Sequence, residues 1–78
     1  MPMPPPKPST EPAPRRRQRR EIDQLARALR AIGPTDRDAL ATEVGAAYWE
    51  PGRFDAALEA ALRTHHVIRD AEGRLAAA

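Results

Sequence analysis

Cysteine is absent from the 78 residues, which excludes disulfides and thiolate metal sites and removes any sign of an oxidising compartment. Aromatic residues are almost absent too: Tyr48, Trp49 and Phe54 are the only three. The sole serine, Ser9, sits among prolines, so no serine triad can be assembled on a folded element. The four glycines stand apart at 33, 45, 52 and 73, which leaves no glycine-rich phosphate loop. No apolar run approaches the ~18 residues that span a bilayer, and the opening MPMPPPKPSTEPAP has no apolar core of a signal peptide. His65 and His66 are adjacent, so on a helix they diverge by about 100° and cannot chelate one metal as an i, i+4 pair does. The expectation is a cytoplasmic, non-catalytic chain with no cofactor, no metal, no membrane segment and no small-molecule substrate.

Proline and arginine, by contrast, are abundant and concentrated at one end. Seven of the first 14 residues are proline, which fixes φ, removes the amide donor and favours solvated polyproline II or coil. The PPPKP stretch is of a kind that aromatic-groove domains read, but a spacer is the simpler role. The run RRRQRR follows, where like charges repel and disfavour compact structure until a polyanion neutralises them or the first helix draws part of them in. Residues 1–20 carry Lys7, Arg15, Arg16, Arg17, Arg19 and Arg20 against Glu11, a net +5, whereas residues 21–78 carry seven arginines against ten acids, a net −3. This asymmetry predicts a disordered, cationic arm over 1–20 and one small folded domain over 21–78.

From Glu21 the periodicity turns helical. Ile22, Leu25, Leu29 and Ile32 recur at helical spacing, and Gly33-Pro34 ends the pattern. Thr35 is read as the N-cap of a second helix, with Asp36 and Asp38 at its positive end, Leu40, Ala41 and Val44 along its buried edge, and Gly45 as its stop. Pro51-Gly52 precedes a third helix, on which Phe54, Leu58, Ala61, Leu62 and His65 share a core face. His66 is expected outside. Tyr48 and Trp49 are expected to cap the core, with Trp49 the less buried of the two. Val67-Ile68-Arg69, a turn at Asp70 to Gly73, and Arg74-Leu75-Ala76 read as a short hairpin whose alanine-rich end is prone to fray.

Three helices closed by a hairpin, with LATEVG at 40–45, RFDAALEAAL at 53–62 and HVIRDAEGRL at 66–75, resemble a winged helix-turn-helix DNA-binding domain over about Glu21 to Leu75. Leu40, Ala41 and Gly45 stand where that family carries a leucine, a small neighbour and a turn glycine. Alanine and arginine richness fits a small bacterial, actinobacterial type. The resemblance implies a mainly α fold with a C-terminal β-hairpin, Pro51 to His66 as the recognition helix in a major groove, and Asp70 to Arg74 as a wing tip near phosphates.

Helical phase places Arg53, Ala56, Ala60 and Arg63 opposite Phe54, Leu58 and Leu62, so two arginines bracket two alanines small enough for close approach to base edges. With Arg15, Arg16, Arg17, Arg19 and Arg20 in the arm and Arg69 and Arg74 on the wing, these form the candidate nucleic-acid contacts. The expected function is a transcriptional regulator or accessory chromosomal factor on double-stranded DNA, nucleoid-associated, acting as a homodimer or in several copies. The alternative is a protein-interaction module docking through the Trp49 region and the arm, a reading supported by the acidic body.

Overall fold

The computed structural model describes residues 13–78, and the expected arm over residues 1–12 lies outside the described residues. Helix α1 spans Ala13–Ile32, α2 Arg37–Glu43 and α3 Arg53–Arg63; a 3-10 turn covers Ala46–Tyr48, and strands β1 (Val67–Arg69) and β2 (Leu75–Ala77) close the chain. The molecule is therefore mainly helical with a C-terminal antiparallel hairpin, a layout consistent with the winged resemblance.

Helix α1 begins seven residues before the arginine run ends, so the expected boundary at Arg20 falls inside a helix and Arg15 to Arg20 are helical rather than coil. Three factors explain this. Proline is tolerated in a first helical turn, where Pro14 stands. Arginine is a good helix former. Turns added to a helix already nucleated by packing do not bear the nucleation cost again. The packed half supplies Ile22, Leu25, Ala26 and Leu29, all buried. Ile32, expected on the same stripe, is 41% exposed; ten residues on from Ile22 it lies about 80° round the helix, at the edge of the apolar face.

The second helix is capped by Asp36, whose carboxylate accepts from the Ala39 amide at 2.7 Å. Thr35, expected in that role, instead pairs its backbone with Leu75 in both directions, at 3.0 and 2.8 Å. Moving the cap by one residue frees Thr35 to satisfy an otherwise bare edge of β2. Leu40 is fully buried, Ala41 and Val44 are half-buried, and Gly45 takes the left-handed conformation at φ 67°, as its place past the helix end requires.

The aromatic expectation is reversed. Tyr48 is 94% exposed, while the half-buried Trp49 meets Phe54 edge-on with ring centroids 6.0 Å apart. The adjacent rings cannot both face inward from one tight turn, and the larger indole takes the core side. Helix α3 then starts at Arg53, two residues later than Pro51, and buries Phe54, Ala57, Leu58, Ala60 and Ala61, with Leu62 half-buried.

His65 is not on the core face. It lies beyond the end of α3, exposed, at φ 62°. The His66 amide donates to the Ala61 carbonyl at 2.9 Å and the His65 amide to Leu62 at 3.2 Å, the paired bonds that close a helix at a left-handed residue usually filled by glycine. His66 is exposed, as expected.

The hairpin pairs Val67 with Ala77, Ile68 with Ala76 and Arg69 with Leu75, and the Ala78 amide donates to the His66 carbonyl at 3.1 Å, so the alanine end is paired to the last residue. Val67 and Leu75 point into the core shared by all three helices, and no polar or charged side chain is buried among the described residues.

Two outcomes follow from this packing. Leu25→Ala removes a fully buried side chain from the helix face that carries the core, and urea unfolding is expected to report a loss of about 2–5 kcal/mol. His65→Gly relieves the left-handed strain at the end of α3 and is expected to stabilise by roughly 0.5–1 kcal/mol, an upward shift of a few degrees in the thermal midpoint; an unchanged or lower midpoint would contradict it.

Candidate nucleic-acid interface

The first two turns of α1 project past the core. Arg15, Arg16, Arg17, Arg19 and Arg20 are all exposed there, Gln18 is half-buried, and the first turn contains no acid. Five cations at the positive end of a helix dipole are unfavourably placed, and Asp23, beside Arg16, Arg19 and Arg20, is the first acid after Glu21 along the helix. At about 100° per residue, Arg15, Arg16, Arg19 and Arg20 fall within an arc of about 140°, with Arg17 outside it.

The face predicted on α3 is dismantled by packing. Arg53 is drawn into a two-point ion pair with Glu21 of α1, Nε to Oε2 at 2.8 Å and Nη2 to Oε1 at 2.6 Å, with the two side chains 24% and 14% exposed. Hydrogen bonding to Glu21 holds the guanidinium even more firmly charged than an ordinary arginine. Ala60 is buried. The reason lies in Ala57, Ala60 and Ala61: three small residues at i, i+3 and i+4 let α1 approach closely and rotate the core side of α3 toward itself. The solvent arc that remains carries Asp55, Ala56, Glu59 and Arg63. No ion pair joins Glu59 to Arg63 among the described residues, despite their correct spacing.

At the hairpin tip, Arg69 is exposed, whereas Arg74 is held by Asp70 at 3.1 Å and by Glu72 at 2.9 Å. Asp70 organises the loop: its Oδ1 accepts from the amides of Glu72 and Arg74, both at 2.9 Å, and Gly73 supplies the left-handed residue at φ 80°. The Arg74 amide bond, then the Glu72 amide and the Arg74 guanidinium, hold the Asp70 carboxyl below the usual carboxylate range.

Three features escape a reading of the sequence. Glu21 and Arg53 are 32 residues apart, and nothing local links them. Arg37, beside α2's cap, pairs with Asp55 and lies 5.2 Å above the Phe54 ring, tying α2 to α3; its hydrogen bond to Asp55 raises its pKa. Finally, a groove of about 480 Å³ runs between the α1 overhang, with Pro14, Arg15 and Gln18, and the start of α3, with Glu50, Pro51 and Gly52. No metal-binding cluster of His or carboxylates occurs among the described residues, and none of their helices is long and apolar enough to cross a membrane.

Because the folded Asp70 carboxyl titrates below its unfolded counterpart, its contribution to stability is complete above the ordinary aspartate range and disappears as the pH falls through the folded value. Asp70→Asn is therefore expected to loosen the hairpin loop at neutral pH, seen as faster amide exchange at Glu72 and Arg74, and to flatten the acid limb of the stability profile. Comparison with protein-family models, with curated proteins and with solved structures returned no match.

Proposed function

We propose that the chain is a small DNA-binding protein of winged helix-turn-helix type that grips phosphates chiefly through the N-terminal turns of α1, as an accessory chromosomal factor or regulator. The observation that carries this reading is the cluster of five exposed arginines on Ala13–Arg20, uninterrupted by any acid. Each arginine that neutralises a phosphate releases condensed counterions, so affinity accrues without any base being read. Eight helical residues hold that charge out over about 12 Å, away from an acidic body that on its own would repel a polyanion.

The third helix contributes less than its sequence implies. Its solvent arc sets Arg63 against Asp55 and Glu59, and Arg53 is engaged with Glu21. Phosphate contacts position a protein on a duplex and base contacts specify its sequence, so binding with little sequence preference is the outcome this charge distribution favours.

The test is the salt dependence of binding to a duplex of arbitrary sequence. Replacing Arg15, Arg16, Arg19 and Arg20 together by glutamine is expected to reduce the slope of log K against log salt by about 3 to 4, since each lost phosphate contact removes about 0.9. Arg53→Ala is expected to leave the slope unchanged. Equal slopes for the quadruple variant and the parent chain would refute the proposal.

A further inference from the structure

Tyr48 is the outlier of the structure: in a chain with three aromatic residues, one is 94% exposed. Its backbone is not part of a free loop. The 3-10 turn that bears it is closed by the Tyr48 amide donating to the Gly45 carbonyl at 2.9 Å and the Trp49 amide donating to Ala46 at 3.0 Å, and the next residue, Trp49, packs edge-on against Phe54. Gly45 supplies the left-handed residue at φ 67° that starts the turn, and a Cβ there would meet Tyr48 Cδ2 at an ordinary contact distance of 3.5 Å. The result is an aromatic face mounted on a braced turn and left entirely to solvent.

Its position gives that face a use. Two residues further on, Glu50, Pro51 and Gly52 form one wall of the groove whose other wall is Pro14, Arg15 and Gln18. Glu21, Arg53 and Ala56 complete the groove, Arg15 is the overhang arginine on it, and the ring stands two residues along the chain from the wall that faces Arg15. A phosphate grip beside an exposed π-face is the combination by which unpaired nucleic acid is bound, because every base has a face to stack while a duplex keeps its bases stacked on one another.

We propose that Tyr48 is a stacking platform for an unpaired base of a nucleic-acid strand whose phosphates lie along the arginine turns of α1, so that single-stranded segments are preferred to duplex. The proposal rests on the phosphate-binding reading above and adds to it the class of substrate. The arginines hold either form of nucleic acid; Tyr48 contributes only where a base is free. Gln18, half-buried on the opposite wall, adds an amide with both donor and acceptor capacity.

The experiment compares fluorescence anisotropy titrations of the full chain with a short labelled oligothymidylate and with the same strand annealed to its complement, at about 0.1 M salt, where phosphate contacts remain measurable. Tyr48→Ala is expected to weaken binding to the single strand about tenfold or more, in the range of a lost base–aromatic stack, and to leave duplex binding unchanged. Tyr48→Phe is expected to behave like the parent chain. Because Tyr48 buries almost nothing, an unchanged thermal midpoint serves as the control for folding. A Tyr48→Ala variant that binds both oligonucleotides as tightly as the parent overturns the stacking proposal while leaving the arginine grip intact, and assigns the exposed ring to a protein partner instead. Equal weakening on both forms also overturns it. If the parent chain binds neither oligonucleotide, the phosphate reading itself falls and the stacking proposal falls with it.

Discussion

The apolar stripe of α1, formed by Ile22, Leu25, Ala26 and Leu29, is the surface on which the other elements are assembled: α2, α3 and β2 all pack against this one helix. The constraint is severe because the domain is small, and a chain of this length buries only about 60% of its unfolded surface. It meets the constraint with small residues. Ala57, Ala60 and Ala61 bring α3 close to α1, and Val67 and Leu75 close the remaining side from the hairpin. A core built this way has no interior polar group to satisfy among the described residues, and its charges are left on the surface, where they either pair or face water.

Three of the seven arginines in residues 21–78 pair with carboxylates, while Arg27, Arg30, Arg63 and Arg69 have no ion pair among the described residues. Glu21 with Arg53 links α1 to α3, Arg37 with Asp55 links α2 to α3, and Arg74 with Asp70 and Glu72 closes the hairpin tip. Exposed pairs such as Arg74 with Glu72 stabilise little individually, whereas the part-buried Glu21–Arg53 pair joins two helices; together the pairs engage Arg37, Arg53 and Arg74. The body of residues 21–78 keeps its net −3, and the positive electrostatic weight of the described residues sits on Ala13–Arg20.

Continuity of α1 converts that weight into geometry. As a coil, the arginine run would be a diffuse cationic tail; as the leading turns of a helix anchored in the core, it presents arginines at fixed angles, with Arg15 on the groove beside Glu50 and Pro51 and Arg16, Arg19 and Arg20 on another face beside Asp23. Rigid placement lowers the ordering cost that a flexible arm bears on binding.

Much of the fold is legible in the residues themselves. The stripe Ile22, Leu25 and Leu29, the stops at Gly33 and Gly45, the helix containing Phe54 and Leu58, and the hairpin around Gly73 all follow from periodicity and turn chemistry, because these are local preferences written over a few residues. The site is less legible. That Arg53 is occupied by Glu21, that Ala60 is covered while Tyr48 is bare, that His65 sits in a left-handed closure and that Thr35 bridges to Leu75 are consequences of contacts between residues tens of positions apart. The sequence by itself determined the order of helices and hairpin and the concentration of positive charge near the start of the chain. Only the tertiary structure decided that Arg37 and Arg53 are held by Asp55 and Glu21, because such pairing depends on which carboxylate the packing of the core brings within reach.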